Sequence, residues 1–209
     1  MPATAQPSAN DLFDRKAARA GKRALRFWSK AKDDQTRFLS NFAPSPFRVG
    51  GKRYETVEHY YQSRKLELLG LPELAERART AATPEKAKSA GGKGATRAAL
   101  AERHPLKSKK AVTELGKKLY ADRIKPASEL EIMEAALFFK FQQNPKLAAR
   151  LVATGDAVLG ETRRRGGGPW EITADGRPGK LGELLMTMRA IFRQGGGVVE
   201  GKRFRATAA

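Results

Sequence analysis

The sequence predicts an α+β domain, mainly helical with a few short strands, and three patterns carry that reading. Leu130, Met133, Leu137 and Phe141 recur at helical spacing, which gives one long segment a continuous apolar face. Thr56, and Thr83 followed by Pro84 and Glu85, are helix starts. A threonine hydroxyl accepts a backbone N–H that the first turn leaves unpaired, and proline is tolerated at the first helical position. Two short runs, Phe47-Arg48-Val49 and Lys52-Arg53-Tyr54, have strand character on either side of Gly50-Gly51.

Taken in order, residues 1–10 are rich in Ala, Pro, Ser and Gln and lack the apolar stretch of a secretory signal, so disorder is expected there. Residues 15–26 set lysines and arginines between alanines and are compatible with a basic helix. Residues 1–24 are thus expected as a disordered basic tail, and 25–194 as the folded domain. Within the domain, strands are expected at 47–49, 52–54 and 157–161. Helices are expected at 57–69, 72–80, from Pro84 to a stop at Gly91, at 128–142, from Asn144-Pro145 to Gly155, and at 181–194. Leu184, Leu185, Met188 and Phe192 form the inward stripe of the last helix. Gly195-Gly196-Gly197 ends it and leaves 195–209 as a flexible tail. Between strand and last helix, residues 162–179 form a long loop carrying Arg163, Arg164, Arg165, three glycines and Trp170. Long loops in compact domains are commonly functional, and this one is expected to border a pocket and close over a ligand.

Composition narrows the function. The chain has 209 residues, 40% hydrophobic and 30% charged, which suits a soluble globular protein with no membrane partner. It has no cysteine, so disulfides and thiolate metal sites are excluded, in keeping with a cytoplasmic location. His59 and His104 are the only imidazoles, too few for a zinc hydrolase, and His104 before Pro105 reads as a loop residue. The net charge of +19 favours polyanionic partners, including non-specific contact with nucleic acid. The run Gly91-Gly92-Lys93-Gly94-Ala95-Thr96 lacks P-loop spacing and follows no strand. Nucleotide-triphosphate hydrolysis is therefore rejected, while a generic phosphate contact through Lys93 and backbone N–H groups stays open.

The densest chemistry lies in Tyr54-Glu55-Thr56-Val57-Glu58-His59-Tyr60-Tyr61-Gln62-Ser63-Arg64-Lys65. With Thr56 as cap, Glu58 falls in the first turn, where the helix dipole favours its ionised form. Tyr61, Gln62 and Lys65 follow at three, four and seven residues and share its face. One stripe therefore carries a carboxylate, a phenol, an amide and an ammonium.

The flanking motifs, in order, are Phe27-Trp28-Ser29, Phe38-Leu39-Ser40-Asn41-Phe42, the Glu-His-Tyr-Tyr-Gln run at 58–62, Lys140-Phe141-Gln142-Gln143-Asn144-Pro145, Thr154-Gly155-Asp156, Leu159-Gly160-Glu161, Trp170, and Leu181-Gly182-Glu183. Together they resemble the YbiA-like, or NADAR, family of N-glycosidases over roughly residues 25–192. The resemblance implies a YbiA-like fold, no cofactor and no metal. It makes Glu58 the catalytic carboxylate. Trp28, Asn41, Phe42, His59, Tyr61, Gln62, Lys65, Lys140, Glu161 and Trp170 become substrate-binding residues. It further implies as substrate either a phosphoribosylamino-pyrimidine of early riboflavin synthesis or ADP-ribose joined to guanine, including in nucleic acid. N-glycoside cleavage needs just such a set: a carboxylate to orient water or steady the sugar cation, a ring to stack on the base, and cations for phosphates. The chain departs from the family pattern at three places. No Asp precedes Trp170, Pro178-Gly179-Lys180 stands where an Asn is usual, and a Trp ahead of Met133 is missing. A basic module that binds ADP-ribose or nucleic acid without cleaving it, and a non-catalytic interaction protein, remain as alternatives.

Overall fold

The computed structural model describes residues 7–30, 34–104, 108–124, 126–164 and 167–195. In chain order its elements are α1 (Ala9–Arg19), β1 (Ala24–Phe27), α2 (Asp34–Arg37), β2 (Phe47–Val49), β3 (Lys52–Tyr54), α3 (Val57–Leu68), α4 (Pro72–Arg79), α5 (Pro84–Ala90), α6 (Lys93–Arg103), α7 (Lys109–Arg123), α8 (Pro126–Gln143), α9 (Pro145–Val152), β4 (Val158–Glu161) and α10 (Lys180–Arg193). The class is the expected one, mainly helical with short strands. No helix among the described residues is long and apolar enough to cross a membrane. The described residues divide into two compact units, 7–43 with 145–195, and 44–144.

The first unit is organised on a parallel pair, β1 with β4, in which Ala24 faces Val158 and Phe27 faces Glu161. α10 packs on β4 at very short range, which two glycines permit. A Cβ on Gly182 would lie 2.2 Å from the carbonyl oxygen of Leu159, and one on Gly160 would lie 2.8 Å from Ile172 and 2.9 Å from Phe13. Arg189 of α10 reaches back to the turn before β4, donating to Thr154 Oγ1 at 2.9 Å and to the Ala157 carbonyl at 2.8 Å.

The expectation of a disordered tail over 1–24 fails for its described part. Ser8 and Asp11 form a capping box at the start of α1: the serine hydroxyl accepts the Asp11 N–H, and the Asp11 carboxylate accepts the Ser8 N–H. Phe13 and Ala17, one turn apart, are buried and anchor the helix. The helix thus spans Ala9–Arg19 rather than 15–26, and Ala24–Phe27 is strand. Residues 1–6 of that tail, and 196–209 of the expected C-terminal tail, lie outside the described residues.

In the second unit β2 and β3 form an antiparallel hairpin with Phe47 opposite Tyr54. Gly50 and Gly51 have φ of 55° and 77°, the left-handed pair that a two-residue primed turn requires. Phe47 stacks on Tyr54 at 5.8 Å, and Tyr60 of α3 meets Tyr54 edge-on at 5.0 Å. At the end of α8, Gln143 serves β2 as an added strand residue would. Its Oε1 accepts from the Arg48 N–H at 2.9 Å and its Nε2 donates to the Arg48 carbonyl at 2.8 Å. The helical core gathers Leu66, Leu69, Leu71, Leu74, Ala75 and Ala78 with Leu100, Val112 and Ile124.

Two helices, α6 and α7, were not expected from the sequence. Their apolar faces are too thin to read: α6 fully buries Leu100 and α7 Val112, with small residues around them. Gly116 lets the two approach, its position 3.3 Å from Leu100 if it carried a Cβ.

Gly182→Ala tests the close packing of α10 on β4. Displacing a helix from a strand carbonyl is expected to cost about 1–3 kcal/mol, read as a lowered thermal midpoint. An unchanged midpoint would show that the approach is not tight.

Candidate functional site

Thr56 caps α3 from extended backbone, its hydroxyl accepting the His59 N–H at 3.4 Å. Glu58 follows in the first turn, and one turn later Gln62 donates from Nε2 to Glu58 Oε1 at 2.8 Å. Each of these two side chains is only 5% exposed. Burial pushes the Glu58 carboxyl above the usual carboxylate range, and it prevails over the Gln62 hydrogen bond and the nearby ammonium groups of Lys88 and Lys65. The helix dipole favours the ionised form of this carboxyl, and burial works against it.

Lys65 is half-buried, with its Nζ 5.4 Å from the centre of the Tyr61 ring. Burial lowers its pKa, and Glu58 and Glu129 oppose that shift. Tyr61 donates its hydroxyl to Glu129 Oε1 at 2.9 Å, and Tyr120 donates to the same oxygen. Burial and this carboxylate both push the Tyr61 phenol upward. Glu58 and Gln62 are thus hydrogen-bonded one turn apart on α3, with the Lys65 ammonium near enough to act on the carboxyl.

His59 has a different part. Its Nε2 lies 2.9 Å from the Ala81 carbonyl, which can only accept, so Nε2 carries the proton; Nδ1 meets the Thr56 hydroxyl at 2.8 Å. Both ring nitrogens are engaged by the protein itself, tying the start of α3 to the connection between α4 and α5. Lys140, on α8, is wholly buried; desolvation lowers its pKa to about 7. Its Nζ lies 5.3 Å from the Phe141 ring centre.

The remaining expected residues belong to the first unit. Trp28 follows β1, Asn41 and Phe42 follow α2, Glu161 ends β4, and Trp170 is half-buried in the loop after it. The Arg164 guanidinium lies 5.7 Å from the Trp28 ring centre. The described parts of the loop are held down rather than free. Asn10 exchanges two hydrogen bonds with the backbone of Arg163, at 3.0 and 3.1 Å. The Arg163 guanidinium donates to the Ile172 carbonyl at 3.1 Å, so this cation is occupied within the loop.

Three buried side-chain polar atoms have no hydrogen-bond partner among the described residues: Trp28 Nε1, Asn41 Oδ1 and Gln62 Oε1. All three belong to residues expected to bind substrate. An unpaired buried donor or acceptor costs about 1–3 kcal/mol, so each of these atoms would gain from a polar partner. No group of three or more metal-ligating side chains occurs among the described residues. Sequence reasoning missed Lys88, Glu129 and Tyr120, which belong to other helices, and nothing in their local sequence ties them to Glu58.

The raised pKa of Glu58 sets a pH dependence of stability. Unfolding returns this carboxyl to its ordinary value, so as pH rises the unfolded chain releases the proton first. Its contribution is fully present below the ordinary carboxylate value and declines until the folded group has also ionised. Glu58→Gln removes that decline. Across melts from about pH 4 to about pH 8, the variant's midpoint is expected to gain on the wild type as pH rises. A difference independent of pH would refute the shift.

Comparison with known proteins follows the same motifs. The family model described as NADAR domain matches residues 26–193, spanning both units. The chain is 32% identical over 175 residues to N-glycosidase YbiA of Escherichia coli (strain K12), covering 79% of this chain and 86% of that protein. It is 30% identical over 158 residues to a riboflavin biosynthesis protein of Vibrio vulnificus (strain YJ016), covering 75% of this chain but only 36% of that protein. The NMR structure of E. coli YbiA matches with a TM-score of 0.52 at 29% identity, over 82% of this chain and 86% of that one. With this match over most of its length, and with the family's motifs in order along it, the chain belongs to the NADAR domain family.

Proposed function

We propose that this protein hydrolyses an N-glycosidic bond between a base and a phosphorylated ribose or ADP-ribose, with Glu58 as the general base. The observation that carries this reading is the buried Glu58 carboxyl with its raised pKa, braced through Oε1 by Gln62 and flanked by Lys65 and Lys88. A carboxyl shifted upward towards the working pH is a better proton acceptor than an ordinary surface carboxylate. Glu58 Oε2 has no hydrogen-bond partner among the described residues and is the oxygen from which water would be activated.

In the proposed step the C–N bond to the base breaks and its electron pair leaves with the nitrogen, which takes up a proton from solvent. Water attacks the anomeric carbon, forming the new C–O bond, and gives its proton to Glu58, which returns it to solvent. The sugar is cationic in the transition state, where an ionised Glu58 also supplies electrostatic stabilisation. Trp28, Asn41, Phe42, Glu161 and Trp170, together with Gln62 and Lys65, are the proposed substrate-holding residues. The names N-glycosidase and riboflavin biosynthesis protein, borne by relatives, support the reaction class. The net charge of +19 supports an anionic substrate, free or within nucleic acid. A cytoplasmic setting agrees with the absence of cysteine.

One observation favours a second reading, binding without cleavage. No acid precedes Trp170, and the acid after it, Glu171, is engaged by the Arg164 backbone N–H at 3.1 Å. The two readings separate on one comparison, base release from both substrate classes by the wild type and by Glu58→Gln. Turnover is expected to fall about 10²–10⁴-fold in the variant, with melting and ligand binding retained. A variant that cleaves at the wild-type rate would end the assignment of Glu58. A wild type that binds ADP-ribose and releases no base would establish the second reading.

A further inference from the structure

In the first unit, α1 lies ahead of the matched NADAR domain, yet it is fastened to the loop after β4 that carries Trp170. The fastening is made at two places on one helix. On the outgoing limb of the loop, Asn10 Oδ1 accepts the Arg163 N–H at 3.0 Å and Asn10 Nδ2 donates to the Arg163 carbonyl at 3.1 Å. A side-chain amide carries both a donor and an acceptor, so one residue fixes the peptide groups on either side of Arg163. On the returning limb, Gly176 lies against the start of α1. A Cβ there would stand 2.5 Å from Leu12 Cβ and 2.6 Å from the Phe13 nitrogen. Its φ of 76° is left-handed, so both conformation and contact require glycine. Lys16 adds an ion pair to Asp175 at 3.5 Å, a weak one because both are exposed.

The two limbs are joined to each other through the residue that Asn10 holds. The Arg163 guanidinium donates to the Ile172 carbonyl at 3.1 Å, and the Ile172 N–H donates to the Glu161 carbonyl at 2.9 Å. Ile172 is fully buried and stands two residues after Trp170. A chain of contacts therefore runs from Asn10 through Arg163 to the residues beside Trp170. α1 does not need Asn10 for itself. Ser8 and Asp11 cap the helix, buried Phe13 and Ala17 anchor it, and asparagine is a weaker helix former than alanine.

We propose that Asn10 is a positioning residue for substrate binding: through Arg163 it holds the loop in the conformation that presents Trp170, so that α1 orders the loop before substrate arrives. A loop ordered in advance spares the ligand the entropy of ordering it, which appears as affinity and not as a faster chemical step. The proposal rests on the reading of Trp170 as a substrate-holding residue, and it leaves the chemistry at Glu58 unaltered.

Asn10→Ala strengthens the helix while freeing the loop, so it separates this role from a merely structural one. Two measurements on the full chain decide, site-resolved amide hydrogen exchange and steady-state base release. The Ile172 amide is bonded to Glu161 and not to Asn10. Its exchange is expected to quicken at least about fivefold in Asn10→Ala, as the loss of two hydrogen bonds from the loop requires. KM is expected to rise at least about threefold while kcat stays within about twofold. Gly176→Ala, which drives the returning limb off α1, is expected to move both readouts the same way. Arg15→Ala, on the exposed face of α1, is expected to leave both within about twofold. An unchanged Ile172 rate, with faster exchange confined to Arg163, would overturn the proposal whatever the turnover. So would faster Ile172 exchange with an unchanged KM, which would reduce α1 to a structural strap. If the wild type binds ADP-ribose and releases no base, its Kd takes the place of KM in the same comparison. A wild type that does neither defeats the substrate reading and this proposal with it, while the exchange rates still report the clamp.

Discussion

A helix whose first two turns are buried on every side must find a partner for each polar group it carries, and α3 is such a helix. Residues 57–63 are all buried, and four of those seven are Glu58, His59, Gln62 and Ser63. The surrounding elements are placed so that most of these groups are met from outside. The connection between α4 and α5 brings the Ala81 carbonyl to His59, α8 brings Glu129 to Tyr61, and α5 brings Lys88 towards Glu58. Each of these contacts is worth little net, because water would serve the same atoms in the unfolded chain; leaving one unmade is what costs. The polar load of α3 therefore selects the arrangement of its neighbours more than it stabilises them. Gln62 Oε1 is the conspicuous remainder, and it lies on the residue that also braces Glu58.

Glycine performs a second kind of selection, at three places with the same geometry. Gly182 and Gly160 bring a helix and side chains onto β4, and Gly91 admits the Gln62 amide. In each, the side chain is absent because another atom occupies its space. Backbone conformation is not the reason at these three positions, none of which has a positive φ. The same residue type therefore records contacts that sequence spacing alone does not disclose.

This difference explains what was legible. Thr56, Thr83-Pro84-Glu85 and the Leu130–Phe141 stripe act locally, through capping and helical period, and the helices they announce are observed. The Gly50-Gly51 turn is local too, and both strands beside it form. β1 was missed because its partner, β4, lies near the other end of the chain, and four residues without a period announce nothing alone. α6 and α7 were missed because each buries a single large apolar side chain, too little for a stripe. In the candidate site the α3 residues were legible because one helix face holds them. Lys88, Glu129 and Tyr120 were not, since only folding brings α5, α7 and α8 to that face. The upward shift of the Glu58 pKa was not legible for the same reason: the dipole is a property of its own helix, whereas its burial depends on others.

That burial changes the chemistry open to this carboxyl. A first-turn glutamate in water would be ionised and weakly basic, able to steady a cation but poor at accepting a proton. Desolvation raises its basicity, and the ammonium groups of Lys65 and Lys88 limit the rise. The two effects pull on one equilibrium, and both depend on what occupies the surroundings. An anion near Lys65 would offset its charge at Glu58 and raise the carboxyl's basicity further. Lys65 and Glu58 act on each other, so what surrounds one of them also sets the charge state of the other.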